Sequence, residues 1–226
     1  MLFSKKKEAE KGLVDVAFGE AVQMLMMGQQ MFTLVTNALV ETSVDEDVAK
    51  ISATDKEINK LHRNVRKKIF EHLSISGGQD LFSSLVLLSV VNDLERIGDY
   101  NKNIADIIEM IPTKLDLGEY DKPLKKLYKE TDNFFNLTLS AFRDDDEKSA
   151  KVVLKKYRQI SRTCDGLLRK MFEENQSSKK VNKDLIAFVL LIRYFKRLNA
   201  HLKNIASAVV NPFHRIGYKQ KKKYDN

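Results

Sequence analysis

The sequence predicts an all-α protein that consists of two tandem three-helix bundles. Its 226 residues include only 9 Gly and 3 Pro, too few turn-forming residues for a β-sandwich, barrel or propeller. Six long segments carry apolar residues three or four positions apart, which is the spacing of one helix face. The third and sixth of these segments also share a sequence pattern, which indicates an internal repeat.

The first three segments predict the helices of the first bundle. They run from about Leu13 to Glu41, from the acidic break at 45–47 to about Leu73, and from about Asp80 to Ile111. Gly77 and Gly78 separate the second helix from the third. Pro112 ends the third, because the residue before a proline avoids helical backbone.

The last three segments predict the helices of the second bundle. They run from about Pro123 to Phe142, from the acidic residues 144–147 to about Glu174, and from about Asn182 to Val210. The acidic residues suit a helix N-terminus, where the helix dipole favours negative charge. Residues 211–226 are rich in lysine and show no packing pattern, so they are predicted to form a basic tail.

The internal repeat sets the predicted domain boundaries. Adding 101 to the residue numbers of the third helix aligns Arg96 with Arg197 and residues 103–105 with 204–206, which are Asn-Ile-Ala in both. The second and fifth helices align less well, at an offset of 106. We therefore predict a first repeat at 1–115, a second repeat at 116–210 and the basic tail at 211–226.

Composition excludes several classes of protein. The single cysteine, Cys164, excludes internal disulfides and cysteine-based metal sites, and we expect it to be a packed apolar residue. The basic N-terminus lacks the apolar run of a signal peptide. The uncharged stretch from Ala21 to Val40 is interrupted by polar side chains and is a poor membrane span. These three features predict a cytoplasmic protein. No phosphate-binding glycine loop, no paired histidines and no catalytic grouping of nucleophile and base occur, so we expect that the protein is not an enzyme.

Charge is distributed unevenly along the chain. Residues 1–111 carry 13 basic and 17 acidic side chains, whereas residues 112–226 carry 26 basic and 14 acidic side chains. The halves therefore have net charges of −4 and +12. The second half has the charge to meet an anion, a nucleic acid or a membrane surface, although it has no nucleic-acid reading motif and we expect no nucleic-acid partner.

Two pairs of polar residues predict a cation site in the first repeat. Glu95 and Asp99 are four residues apart on the third helix, beside its apolar stripe, and Gly98 between them lets a neighbouring helix approach closely. Asp55 and Asn59 have the same spacing on the second helix. Oxygen ligands of this kind suit iron, manganese, magnesium, calcium or zinc. The alternative is that Glu95 pairs with a lysine or arginine on a neighbouring helix.

One stretch of the third helix carries a distinctive motif. It is Val-Val-Asn-Asp-Leu-Glu-Arg-Ile-Gly-Asp at 90–99, followed by Asn-Ile-Ala at 103–105. This stretch resembles the PhoU family of regulators of bacterial phosphate uptake. The resemblance implies two three-helix bundles with an iron or zinc motif on the third helix of each. Glu95 and Asp99 match that motif, and Asp55 and Asn59 match the less strict pattern on the second helix.

The second repeat departs from the motif of the family. Lys196 and Ala200 stand where the two acids of the third-helix motif would be, and Ser161 replaces the first acid of the facing helix, whereas Asp165 is retained. We therefore expect one metal site at most. We also expect the Lys196 ammonium to pair with Asp165, with an anion site that includes the neighbouring arginines as the rival.

The resemblance implies a regulator that acts by contact with a phosphate transporter or its sensor kinase, at the inner membrane face. An accessory protein of a sodium/phosphate cotransporter is an alternative. A metal-dependent hydrolase or oxidase at Glu95 and Asp99 is a second alternative, from a different class. A homodimer is compatible with the sequence.

Overall fold

The computed structural model describes residues 12–40, 45–76, 78–111, 115–175 and 182–219. These ranges contain six long helices and no strand, as predicted. The helices are α1 (Leu13–Val40), α2 (Asp45–Ile75), α3 (Leu81–Met110), α4 (Asp121–Asp144), α5 (Glu147–Glu174) and α6 (Lys183–Val210). Short 3-10 turns lie at Gly118–Tyr120 and Phe213–Arg215.

Local capping interactions explain where two of the helices begin. The Asp146 carboxylate accepts a hydrogen bond of 2.9 Å from the Lys148 backbone N–H at the start of α5. The Asn182 amide oxygen accepts from the backbone N–H of Asp184 at the start of α6. These side chains satisfy N–H groups that lack a partner within the helix.

The acidic run at 144–147 is divided between two helices. Asp144 ends α4, and Asp145 adopts left-handed backbone (φ 55°) after it, so only the second half of the run starts α5. Helix α4 begins at Asp121, two residues earlier than predicted, because Pro123 fits the first turn of a helix. Three predicted breaks, at Gly77, Pro112 and residues 176–178, lie outside the described residues.

The two three-helix bundles share one continuous apolar core. Helices α1 to α3 pack together, α4 to α6 pack together, and the bundles meet where α1 contacts α4 and α3 contacts α6. Phe18 packs on Phe142 with ring centroids 5.1 Å apart, and Phe32 packs on Phe135 at 5.3 Å. These pairs show that α1 and α4 run in opposite directions.

A polar cluster lies where α3 meets α6. The Asp93 carboxylate accepts hydrogen bonds from Asn204 Nδ2 at 2.9 Å and lies 2.7 Å from His201 Nδ1. The ring of Tyr100 stacks on His201, with centroids 5.5 Å apart. The cluster links the two repeats across this contact, and no periodic pattern in the sequence predicts it.

The first part of the predicted basic tail is folded. Residues 211–219 turn back on α6, and the buried Asn211 donates from Nδ2 to the carbonyls of Arg215 and Tyr218, at 3.0 and 2.8 Å. A helix-based reading of the sequence missed this segment because its contacts follow no periodic pattern. Residues 220–226 lie outside the described residues.

None of the helices within the described ranges combines the length and the apolar character that crossing a membrane requires.

Candidate functional site

The four predicted ligands of the first repeat lie where α2 packs on α3. Gly98 marks the closest approach, since a Cβ placed there would lie 3.3 Å from Ile58 Cδ1 and 3.4 Å from Asp55 Oδ1. The absence of a side chain at Gly98 therefore lets the Asp55 carboxylate lie against α3, between the positions of Glu95 and Asp99. The predicted close approach of the two helices at Gly98 is therefore present in the structure.

Asp55 is the most deeply placed acid of this face. Asp55 is only 9% exposed, and its Oδ2 accepts a hydrogen bond of 3.2 Å from Asn59 Nδ2. Its Oδ1 is buried and has no hydrogen-bond partner among the residues that the structure describes. Burial, together with the negative charges of Asp99 and Asp106, raises the pKa of Asp55 against the lowering effect of Lys102. An orphan carboxylate oxygen is costly to bury, so this atom favours a proton or a cation as partner.

The pKa of Glu95 is raised, like that of Asp55, by burial and by neighbouring negative charge. Burial and then the charge of Asp99 raise the pKa of Glu95, although Arg96 and His62 act against them. Arg96 approaches both acids of the motif, with Nη1 2.9 Å from Asp99 Oδ2 and Nε 3.5 Å from Glu95 Oε2. The arginine side chain is 58% exposed, so solvent screens these contacts and they hold the acids only weakly.

The predicted ligands are neighbours, but they do not converge. Within the described ranges, no three side chains of the Asp, Glu, His and Cys types lie close enough together to hold a metal ion. The chemistry of the donors, and the unpaired Asp55 Oδ1, suit a hard or borderline cation. Arg96 contacts both acids in this conformation, but it lies on α3 with them, whereas the alternative interpretation placed the partner of Glu95 on a neighbouring helix.

Two polar residues of this face were missed by sequence reasoning. His62 Nε2 lies 3.1 Å from Asn92 Oδ1, and Arg66 Nη1 donates to the same oxygen at 3.3 Å. His62 follows Asp55 by seven residues, which places both on one face of α2. The seven-residue spacing of Asp55 and His62 is visible in the sequence. His62 was missed because it has no second histidine at the spacing of a metal-binding pair.

The corresponding face of the second repeat holds an internal ion pair. Lys196 Nζ lies 2.5 Å from Asp165 Oδ1, with the lysine side chain 23% exposed and the aspartate 52% exposed. The expected pairing of Lys196 with Asp165 is thus confirmed. Ser161 and Ala200 carry no charge at the remaining two positions. Cys164 is fully buried, as expected of a packed residue, and burial raises the pKa of its thiol to about 12.

Comparison with known proteins gives consistent matches in sequence and fold. The family model described as the PhoU domain matches twice, at residues 21–108 and 124–209. Two curated relatives are each named as a phosphate-specific transport system accessory protein PhoU homolog. The one from Synechocystis is 23% identical over 192 residues, covering 84% of each chain. The one from Thermotoga maritima is 24% identical over 190 residues, covering 80% of this chain and 82% of the relative.

Two crystal structures share the fold. PhoU from Pseudomonas aeruginosa matches with a TM-score of 0.80 at 18% identity, covering 88% of this chain and 95% of that one. The phosphate transport system regulatory protein PhoU from Streptococcus pneumoniae matches with a TM-score of 0.76 at 18% identity, covering 87% and 93%. The predicted fold class, two tandem three-helix bundles of this type, is therefore confirmed.

Proposed function

The chain belongs to the PhoU family, since the family model matches both repeats, and from this premise we propose that it is an accessory and regulatory protein of a phosphate transport system. It acts without catalysis, through contact with a phosphate transporter or its sensor kinase, on the cytoplasmic side of the inner membrane. The double match of the family model carries this proposal, and the names of the two curated relatives support it.

One end of the first repeat has the surface that such a contact needs. Four large apolar side chains are exposed around the turn between α2 and α3. They are Phe70 (73% exposed), Ile75 (80%), Leu81 (48%) and Phe82 (52%). Grouped exposure of this kind is typical of protein contact sites. We assign this α2–α3 end, defined by these four residues, to the membrane partner.

Capture from native membranes tests the proposal. Tagged protein should enrich a subunit of a phosphate transporter, or its sensor kinase, and the double variant Phe70→Ser, Phe82→Ser should lose that enrichment. Phe172→Ser is the matched control, because Phe172 is 61% exposed and lies on α5 in the other repeat. Enrichment of a sodium/phosphate cotransporter would support the alternative partner. Equal recovery of only unrelated proteins by all three forms would contradict the proposal.

We further propose that the first repeat binds one ion of iron or zinc, whereas the second repeat binds none. Asp55, Glu95 and Asp99 would supply carboxylate oxygens, with the Asn59 amide oxygen as a fourth donor. The raised pKa values of Asp55 and Glu95, and the orphan Asp55 Oδ1, support a cation there. Binding requires Arg96 to release both acids. In the second repeat the Lys196 ammonium already supplies the positive charge.

A further inference from the structure

A cavity of about 450 Å³ lies in the second repeat, between α5, α6 and the C-terminal segment 211–219. Its volume falls within the range of about 300–1,000 Å³ that small-molecule pockets occupy. Lys155, Tyr157 and Arg158 line it from α5, and Lys203 lines it from α6. None of the residues that line the cavity belongs to the α2–α3 end or to the candidate metal ligands Asp55, Glu95 and Asp99.

Hydrogen bonds hold the C-terminal segment 211–219, which forms the third wall of the cavity beside α5 and α6, in place. The Gly217 backbone N–H donates to Ser207 Oγ at 2.6 Å, and the Gly217 carbonyl accepts from Lys203 Nζ at 2.6 Å. Gly217 has a left-handed φ of +85°, and a Cβ there would lie 3.2 Å from Asn204 Oδ1. This backbone therefore requires glycine, and the wall carrying Tyr218 is preformed.

The charged residues that the structure places around the cavity are basic. Among the described residues that line it, Lys155, Arg158, Lys203 and Lys219 are charged, and none is a carboxylate. Within the part of the chain that the structure describes, none of these four cations forms an ion pair. They belong to the half of the chain whose net charge is +12. An anion in the cavity would supply a counter-charge at the surface that these side chains line.

Lys203 is the least exposed of the four cations, so its charge is the least stabilised by water. Its ammonium lies over the ring of Tyr157, 5.2 Å from the centroid, and uses one of its three donors on Gly217. Burial lowers the pKa of Lys203, against the effect of the Asp93 carboxylate across the α3–α6 contact. A bound anion would accept from the remaining donors and stabilise the charged form of the amine.

Two aromatic rings add a flat apolar surface to this basic site. Tyr157, which is partly buried, and Tyr218, which is 66% exposed, both line the cavity. We propose that the cavity binds a nucleoside phosphate. The Arg158 guanidinium and the three lysines hold the phosphate groups, and a tyrosine ring stacks on the base. Orthophosphate has the right charge, but it would leave the aromatic surface without contact.

Calorimetric titration of the full-length protein tests this assignment, with ATP, AMP, pyrophosphate and orthophosphate as probes. ATP and AMP should each bind one per chain, and AMP should bind at least about tenfold more tightly than orthophosphate. Arg158→Gln should weaken ATP binding by about tenfold, because charged hydrogen bonds are lost. Tyr218→Leu should weaken AMP binding by about fivefold and leave pyrophosphate binding unchanged.

Arg162→Gln is the matched control, since it removes the same charge from an exposed position one turn further along α5, outside the cavity. It should change the affinity for ATP by less than about threefold. Equal losses in Arg158→Gln and Arg162→Gln would show non-specific attraction and overturn the site. Pyrophosphate binding as tightly as ATP, with no effect of Tyr218→Leu, would overturn the nucleoside part. Absence of saturable binding by all four probes would overturn the whole inference.

Discussion

A double-mutant cycle on Lys196 and Asp165 tests whether a lysine has taken the place of a metal ion in the second repeat. Lys196→Met keeps the apolar stem of the side chain and removes its charge, and Asp165→Asn keeps the shape of its side chain. The atoms of the pair are 2.5 Å apart, but the aspartate side chain is 52% exposed and the lysine 23% exposed. Solvent therefore screens the attraction, and we expect a coupling free energy of about 0.5–1 kcal/mol.

This magnitude follows from the partial exposure of the pair. Removing one partner of a fully buried pair costs roughly 3–5 kcal/mol, because the remaining charge is left without compensation. Here the exposed Asp165 carboxylate regains water when Lys196 is removed. Most of that penalty is absent, and added salt of about 1 M should reduce the coupling further.

The assay is urea unfolding of the wild type, the two single variants and the double variant, followed by circular dichroism at pH 7. Free energies of unfolding come from linear extrapolation. Lys196→Met combined with Glu109→Gln is the control cycle, because Glu109 is an exposed carboxylate near the end of α3 in the other repeat. The control coupling should be near zero. A Lys196–Asp165 coupling below about 0.3 kcal/mol, together with phosphate-dependent stabilisation that Lys196→Met removes, would refute the ion-pair argument and favour an anion site.

Four further predictions concern the first repeat. Glu95→Ala combined with Asp99→Ala should abolish the iron or zinc that copurifies with the protein, and elemental analysis showing equal metal in both forms would contradict the proposed site. No phosphate ester or nucleotide should be hydrolysed with any divalent metal, and hydrolysis lost in Glu95→Ala would support an enzyme. The raised pKa of Asp55 means that the folded state holds its proton to higher pH than the unfolded state. The free energy of unfolding of the metal-free protein should therefore fall as the pH rises above about 4. The urea midpoint of Asp55→Asn should fall less over the same pH range than that of the wild type. Gly28→Ala should be less stable than Gly19→Ala by about 1–3 kcal/mol in urea unfolding, because its Cβ would lie 2.7 Å from a buried isoleucine side chain, whereas nothing lies within 4 Å at Gly19. Equal stability of the two glycine variants would show that the core yields without cost.

Local signals were sufficient to predict the helices. The bounds of α1, α3, α5 and α6 agree with the sequence patterns to within about three residues. Capping residues such as Asp146 and Asn182 act on backbone N–H groups two or three positions away, so their effect is visible in a single stretch of sequence. The pairing of Lys196 with Asp165 was also predictable, because the internal repeat places both on faces that meet.

The candidate metal site was predicted only in part. The sequence identified Asp55, Glu95 and Asp99, and the structure places them on one α2–α3 face around Gly98. Whether the acids turn toward a shared cation depends on side-chain rotamers, and Arg96 contacts two of them. A motif specifies which residues are near, whereas competing partners determine where the carboxylates point. Metal binding by these residues therefore stays a prediction.

The sequence by itself determined the six helices, their division into two repeats and the loss of the acidic motif from the second repeat. The tertiary structure decided which residues join the repeats, such as Asp93 and His201, how residues 211–219 fold back on α6, and where cations such as Lys203 line a cavity. The physical reason is the range of the interactions. A helix depends on neighbours three and four residues apart, which periodicity records. The contact of Asp93 with His201 joins residues about a hundred positions apart and depends on the packing of the whole chain. The contacts of residues 211–219 are shorter in range but follow no helical period, so they leave no periodic trace in the sequence either.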